Sequence, residues 1–246
     1  MFHKIIVKLI GLFGYKLFEK NLVKNQRIID SNSIHNMSFF LDLIFKKNKI
    51  DTLIQVGAND GIRFDELKKY IKKEDVKSIL IEPVNDYYNK LKESYSNNSN
   101  IFLENCAVTE TKGEINIYKV NKDFISIYDD HVRGINSLDR NHLIKHKIKP
   151  KHISLEKVKC MSINDIILKH NISKLDLVYI DAEGYDGNIV INLLEITEQK
   201  PIIIFEFIHI EHNIFKIVMN RLNENGYKCF KVNENIICFN EDKEVL

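Results

Sequence analysis

The sequence lacks the features that usually identify a zinc-binding, secreted or nucleic-acid-binding chain. Its four cysteines (Cys106, Cys160, Cys229 and Cys238) contain no C-x-x-C pair. This argues against a zinc cluster or a disulfide framework and fits a reducing, cytoplasmic compartment. With 36 basic and 34 acidic residues the formal net charge is only +2, too small for a field that gathers nucleic acid. We therefore expect a cytoplasmic protein that binds a small molecule, with no nucleic acid partner.

A long uninterrupted apolar run is also missing near the N-terminus. Lys8 and Lys16 interrupt the apolar residues there and no small-residue cleavage site follows, so we expect neither a membrane span nor a signal peptide. The apolar residues between positions 5 and 18 recur at helical spacing, which predicts an amphipathic helix within an N-terminal helical extension, residues 1–50. We expect the apolar face of this helix to pack against the domain itself or against a second subunit in a homodimer. The alternative is that it binds a membrane surface.

From residue 51 onward the chain alternates strand-like and helix-like patterns. With 246 residues and 44% hydrophobic content it can bury one core of ordinary size, although two small domains would also fit. Continuous apolar runs are typical of parallel strands covered on both faces, and they occupy residues 52–56, 78–82, 101–108, 175–181 and 201–207. Helical spacing predicts helices over residues 64–73, 84–95, 162–171, 187–196 and 214–226, with Gly226 as the last C-cap.

These patterns predict an α/β fold with a doubly wound, mostly parallel Rossmann-like sheet over residues 51–246. The tail YKCFKVNENIICF predicts two strands joined around residues 233–235, so an antiparallel hairpin ends the sheet. Residues 120–160 are too long for a plain connection. They predict an active-site cover, whose basic residues from Arg133 to Lys151 could receive a diphosphate or simply form a solvated charged face.

A doubly wound sheet binds its ligand at the carboxyl ends of its strands, and the first predicted strand ends in VGANDG. Gly57 and Gly61 allow a tight turn close to a ligand, and Asn59 tolerates a left-handed backbone. The stretch lacks the three glycines of G-x-G-x-x-G, which disfavours NAD. Asp60 would repel phosphates but could accept from an amino-acid ammonium group, which indicates S-adenosylmethionine.

The second predicted strand ends in Glu82, about one β-α unit after the glycine turn. A carboxylate there can accept hydrogen bonds from both ribose hydroxyls of an adenosine cofactor, and it would reject a 2′-phosphate. The alternative is a solvated glutamate at a strand end.

Together, VGANDG, IEP, the NCAV stretch followed by GEINIY, and LDLVYIDAEGYD resemble the FkbM-type S-adenosylmethionine-dependent methyltransferases over residues 51–210. The resemblance implies a Rossmann-like methyltransferase fold and methylation of a hydroxyl group, often on a sugar or a polyketide-type metabolite. It puts the cofactor's ribose at Glu82, its adenine near Cys106 and Ala107, and its methionine end at Gly57, Ala58, Asn59, Asp60 and Gly61. Gln55, Pro83 and Asp181 complete the predicted cofactor-binding set.

The stretch DAEGYD, residues 181–186, brings three carboxylates into one short loop. Such a cluster shares a proton or binds a cation. We predict Asp181, Glu183 and His209 as the catalytic residues, with a carboxylate or the histidine as general base for the acceptor hydroxyl.

A metal ion is the alternative to a general base at this loop. Asp181, Glu206 and His209 would hold iron, manganese or magnesium, and the ion would lower the pKa of the hydroxyl. His142 and His146 have the i, i+4 spacing of a metal pair but lack the glutamate of the zinc-protease motif, so the prediction does not include them.

The sequence therefore predicts an S-adenosylmethionine-dependent O-methyltransferase. The expected acceptor is a sugar, in particular a nucleotide-activated sugar for capsule or other surface polysaccharide synthesis. Two alternatives remain open: a dinucleotide-dependent oxidoreductase on a similar sheet, and a non-catalytic adenosine-binding module.

Overall fold

A computed structural model describes residues 37–62, 65–73, 76–129, 134–196 and 198–240 of the chain. The predicted amphipathic helix near the N-terminus and the predicted rim residue Arg133 lie outside these ranges. Among the described residues, no helix combines the length and the apolar character needed to cross a bilayer.

The helices and strands of the described residues alternate over most of the chain. The strands are β1 (Thr52–Val56), β2 (Lys77–Ile81), β3 (Ile101–Glu104), β4 (Ala107–Val108), β5 (Gly113–Val120), β6 (Asn136–Ser137), β7 (Ile153–Met161), β8 (Leu177–Ile180), β9 (Ile202–Glu206), β10 (Lys228–Val232) and β11 (Asn235–Phe239). The α-helices are α1 (Met37–Lys47), α2 (Lys68–Lys73), α3 (Asn85–Ser94), α4 (Arg140–Lys145), α5 (Ile163–Lys169), α6 (Asp186–Ile196) and α7 (His212–Glu224). Short 3₁₀ turns cover Lys122–Ile127 and Pro150–His152.

The main sheet has seven strands in the order β3-β2-β1-β8-β9-β11-β10. The first five run parallel, whereas β11 is antiparallel to both β9 and β10. This confirms the predicted doubly wound sheet and its C-terminal hairpin. Gly226, with φ +78°, ends α7 as predicted, because glycine adopts a left-handed backbone without steric cost.

Successive residues of the central strands point to opposite faces of the sheet, and both faces are buried. Ile54 and Val56 pack in one apolar cluster with α5, α6 and α7, whereas Leu53 packs in a second cluster with α1 and α2. Covered on both sides, a strand needs a continuous apolar sequence rather than an alternating one. Burial on both faces therefore explains the short runs of Ile, Val and Leu in the sequence.

A second sheet was not predicted. It has four strands in the order β4-β7-β5-β6, and β5 pairs with β7 along its whole length. The prediction of one strand over residues 101–108 was wrong, because the chain leaves the main sheet after Glu104 and enters the second sheet at Ala107. Between them, the Asn105 side chain donates to the backbone oxygens of Glu82 and Pro83 and so fixes the turn.

The predicted insertion over residues 120–160 is therefore partly sheet. Its last residues belong to β7, and its middle carries β6 and α4. These two short elements pack against β5, so the insertion is anchored to the second sheet. Its proposed role as a cover depends on Gly134, Asn136, Ser137 and Leu138, which line the cavity described next.

Candidate functional site

The order of the main sheet creates a crevice beside β1. The chain leaves β1 towards β2 on one side, while β8 and β9 lie on the other side, which makes this the switch point where doubly wound sheets bind ligands. A cavity of about 420 Å³ opens there, at the carboxyl ends of β1, β2, β8 and β9. Its volume falls within the range of ligand pockets.

The turn after β1 forms the floor of this cavity. The amides of Gly57 and Ala58 both donate to the Ile81 carbonyl at 3.0 Å, which joins the turn to the end of β2. Gly57 has φ +81°, and a Cβ atom there would lie 1.9 Å from the backbone oxygen of Asp181. Position 57 therefore requires glycine, because the end of β8 leaves no room for a side chain there. The sequence alone did not reveal this reason. Asn59 adopts the left-handed backbone that the sequence predicts, with φ 48°.

Glu82 lies at the end of β2, only 3% exposed, and lines the cavity. One carboxylate oxygen accepts from the amide of Asn59 and the other from the amide of Val84, each at 2.9 Å. Burial raises the pKa of Glu82 to about 7, against the opposing effect of these two amides. Each carboxylate oxygen has a second lone pair, so the carboxylate is oriented by the backbone and can still accept from a ligand.

The remaining predicted cofactor residues divide into two groups. Gln55, Pro83, Cys106 and Ala107 line the cavity with Gly57, Ala58 and Asn59. Asp60 and Gly61 belong to the same turn but are not among the described residues that line the cavity. The Asp60 side chain accepts from the amide of Ile62 at 3.0 Å, so it stabilises the turn.

Sequence reasoning missed Asp65, Glu66 and Tyr179, which also line the cavity. The Tyr179 hydroxyl is 3.4 Å from a Glu66 carboxylate oxygen, and Asp65 accepts from the Tyr95 hydroxyl at 2.8 Å. Burial raises the pKa of Glu66. No spacing in the sequence links residues 65 and 66 to position 179, so only the fold brings them together.

The loop after β8 presents two of its three carboxylates to the cavity and uses the third to hold its own backbone. Asp186 is fully buried and accepts from the amides of Ala182 and Gly184, each at 3.1 Å. Asp181 and Glu183 both line the cavity. Asp181 is accessible to solvent through the cavity. The protein around it raises the pKa of Asp181 to about 7, first by burial and then by the charge of Glu183.

Glu206 and His209 come from the end of β9 and the turn before α7, as predicted. Burial and then the charge of Asp181 raise the pKa of Glu206 to about 9. Burial and then His142 lower the pKa of His209, so its imidazole is neutral near neutral pH. One Glu206 oxygen lies 3.8 Å from Nε2 of His209, which is too long for a hydrogen bond.

The insertion completes the mouth of the cavity. Asn136, Ser137 and Leu138 line it, and the Ser137 hydroxyl donates to the backbone oxygen of Glu183 at 3.0 Å. His142 of α4 lies 2.9 Å from a Glu183 oxygen through Nε2. The histidine pair that the sequence prediction left out therefore reaches the site.

The three predicted metal ligands do not converge as one group. Glu206 and His209 converge with Glu183, rather than with Asp181, so that their donor atoms lie within 4.8 Å of one another. His209 also converges with His142 and His146.

The switch-point crevice, the glycine turn and the buried strand-end Glu82 define the class of Rossmann-like α/β proteins that bind a nucleotide-containing cofactor. The model of the methyltransferase FkbM domain matches residues 55–229, well over half of the chain. The chain belongs to this family. No curated protein sequence matches the chain.

Several solved structures are similar to this one. They include methyltransferase FkbM from Methylobacillus flagellatus (13% identity, 77% of this chain and 43% of that chain, TM-score 0.48) and precorrin-6y C5,15-methyltransferase from Geobacter metallireducens (9%, 83% and 88%, 0.41). Aeropyrum pernix fibrillarin with natively bound S-adenosyl-L-methionine is a third (10%, 81% and 72%, 0.40). The chain spans less than half of the Methylobacillus protein. Likeness at this level carries no argument about substrate.

Proposed function

We propose that the chain is an S-adenosylmethionine-dependent O-methyltransferase that methylates a hydroxyl of a sugar, in particular a nucleotide-activated sugar used for surface polysaccharide. The observation that carries this proposal is the oriented, buried carboxylate of Glu82 at the switch-point crevice of a family member. Its acceptor geometry suits the vicinal ribose hydroxyls of an adenosine cofactor.

The charge of the cavity also fits this cofactor. Carboxyl groups of Glu66, Glu82, Asp181, Glu183 and Glu206 line it, and a bound cation favours their ionised forms even where burial raises the pKa. The cofactor carries a sulfonium and an ammonium group, both cationic, whereas the diphosphate of a nicotinamide dinucleotide would be repelled. When bound, the sulfonium supplies an electrophilic methyl group.

Deprotonation of the acceptor hydroxyl needs a base of suitable strength near the methyl group. A pKa of about 7 for Asp181 lies where a general base works best at neutral pH. Asp181 is accessible from the cavity and follows β8 directly. We assign it as the base, with Glu183 in the cavity lining on the acceptor side and His209 beside Glu206.

A sugar suits the acceptor side because the lining there is polar. Asn136 and Ser137 line the cavity, and side chains of these two types can hydrogen-bond to ligand hydroxyls. A diphosphate would remain outside the acidic cavity, near the lysines that follow His142, such as Lys145 and Lys147. Recognition of the acceptor would thus combine a neutral sugar inside with a charged group at the rim.

Calorimetry with S-adenosylhomocysteine tests the cofactor part of this proposal. Glu82→Ala removes two charge-assisted hydrogen bonds of about 1.5–3 kcal/mol each, so affinity should fall at least about 100-fold. Glu224→Gln, an exposed position on α7, is the control for loss of one acid, and circular dichroism checks that Glu82→Ala folds. Unchanged affinity in folded Glu82→Ala, or binding of NADH instead, would contradict the proposal.

A mass-spectrometric screen tests the acceptor. Nucleotide-activated sugars are incubated with the full chain and S-adenosylmethionine, and one of them should gain the mass of a single methyl group. Asp181→Asn should abolish that gain while S-adenosylhomocysteine still binds. Methylation of a nitrogen or carbon atom, located by fragmentation, would contradict O-methylation.

A further inference from the structure

Three histidine rings form a cluster beside the carboxylates of Glu183 and Glu206. The ring centroid of His209 lies 4.5 Å from that of His142 and 5.1 Å from that of His146. His142 belongs to α4 of the insertion, and His209 precedes α7 of the main domain. The cluster therefore joins two parts of the chain that no sequence spacing connects.

The donor atoms of these side chains converge in two overlapping groups. Within Glu183, Glu206 and His209, and again within His142, His146 and His209, all donor atoms lie within 4.8 Å of one another. Around a tetrahedral ion with bonds of about 2.1 Å, donor atoms lie about 3.4 Å apart. Small side-chain rotations would thus close either group around an ion. Only the first group contains residues that line the cavity, namely Glu183 and Glu206.

The hydrogen bonds in the cluster favour the first group. Oε2 of Glu206 is buried and has no hydrogen-bond partner among the described residues. Leaving a buried carboxylate oxygen unpaired is costly, and a cation beside it would remove that cost. Nε2 of His142 already lies 2.9 Å from Oε2 of Glu183, so this histidine is placed to orient the glutamate. Metal ligands usually have such an outer hydrogen-bond partner.

We propose that Glu183, Glu206 and His209 bind one divalent first-row transition metal ion, with His142 as the outer partner that orients Glu183. Mixed carboxylate and imidazole ligands suit manganese, iron, cobalt or zinc, whereas magnesium prefers oxygen ligands alone. The ion would face the cavity and leave coordination positions open to it. Its role in activating an acceptor hydroxyl rests on the proposed function, but its binding does not.

Cobalt provides a direct probe of this site. The full chain, stripped of metal by chelation, is titrated with Co²⁺ and followed by visible absorption, then by competition with Zn²⁺ and Mg²⁺. We expect one Co²⁺ per chain, displaced by Zn²⁺ and not by equimolar Mg²⁺. His209→Ala and Glu206→Gln should weaken binding at least about 100-fold, and His142→Ala about 10–100-fold, the usual cost of losing an outer partner. Two control variants, His146→Ala and His212→Ala, should leave the affinity unchanged, since neither residue is a ligand in this assignment.

Three results would overturn the proposal. One is the absence of stoichiometric Co²⁺ binding, and another is full affinity in His209→Ala. The third is loss of binding in His146→Ala together with retention in Glu206→Gln, which would move the ion to the three histidines. Circular dichroism of each variant checks folding, and Glu183→Gln replaces Glu206→Gln if that variant does not fold.

Failure of the metal site and failure of the proposed function give different results. S-adenosylhomocysteine binding and methyl transfer that persist in a chain unable to bind Co²⁺ would overturn the metal site alone. Co²⁺ binding in a chain that does not bind S-adenosylhomocysteine would overturn the proposed function alone.

Discussion

The buried carboxylate of Glu82 makes the stability of the protein depend on pH in a predictable way. Burial raises its pKa from 4.5 to about 7. Between these values the native protein binds more protons than the unfolded chain, so stability falls as pH rises. The contribution of Glu82 is therefore fully present below pH 4.5 and is lost as the pH rises through about 7.

The size of this effect follows from the two pKa values. Each unit of difference corresponds to about 1.4 kcal/mol. Relative to its value at low pH, the free energy of unfolding is then lower by about 1 kcal/mol at pH 5 and by about 3 kcal/mol at pH 8. Glu82→Gln does not titrate, so it escapes this loss. Its amide leaves one backbone N–H without an acceptor, which costs about 1–3 kcal/mol at either pH. The effect of the substitution on unfolding free energy should thus be about 2–3 kcal/mol more favourable at pH 8 than at pH 5.

Urea unfolding at the two pH values measures this difference. The wild type, Glu82→Gln and the exposed control Glu224→Gln are compared, and the other buried carboxyl groups are present in all three proteins. Their titration therefore cancels when each variant is subtracted from the wild type. A substitution effect of the same size at pH 5 and pH 8 for Glu82→Gln would refute the reasoning, as would an equal shift in Glu224→Gln.

Two further predictions concern the frame of the site. Gly57→Ala should lower the free energy of unfolding by more than about 2 kcal/mol, because its Cβ would lie 1.9 Å from the Asp181 backbone oxygen and left-handed strain adds about 1–2 kcal/mol. Gly113→Ala is the matched control in urea unfolding, since its Cβ would meet only the Cys160 sulfur at 3.9 Å, and an equal loss in both variants would contradict the argument. Asp176→Ala should cost about 2–4 kcal/mol, because Asp176 accepts from two backbone amides at the start of β1. It lies at the strand ends opposite the cavity, so S-adenosylhomocysteine affinity should not change, and calorimetry showing a loss would count against this.

The main sheet could be predicted from the sequence because its strands obey a local rule. A strand covered on both faces is largely apolar, and β1, β8 and β9 are short runs rich in Ile, Leu and Val. The second sheet obeys no such rule. Strand β5 has mostly exposed or half-buried residues, and its partner β7 begins more than thirty residues later in the chain. Oppositely charged side chains pair across this sheet, such as Glu114 with Lys157 at 2.5 Å. In the sequence alone, such residues cannot be distinguished from those of any solvated surface.

The sequence predicted many of the residues that form the site, but not which of them contact one another. The sequence indicated which carboxylates meet at the strand ends, since parallel strands end at the same edge of the sheet. It could not tell that Asp60 stabilises its own turn, or that His142 would reach Glu183 across more than forty residues. Such contacts depend on how the insertion folds back, which local spacing does not encode.

The loop after β8 shows why three adjacent acids need not share one role. Asp186 is the first residue of α6, and its two oxygens accept from amides of the loop that precedes the helix. Glu183 and Gly184 adopt positive φ values of 50° and 101°, a backbone that non-glycine residues rarely adopt without such support. Asp186 is thus the residue that stabilises this conformation. The conformation in turn presents Asp181 and Glu183 to the cavity, so in the proposed reaction Asp186 acts only by positioning these two acids.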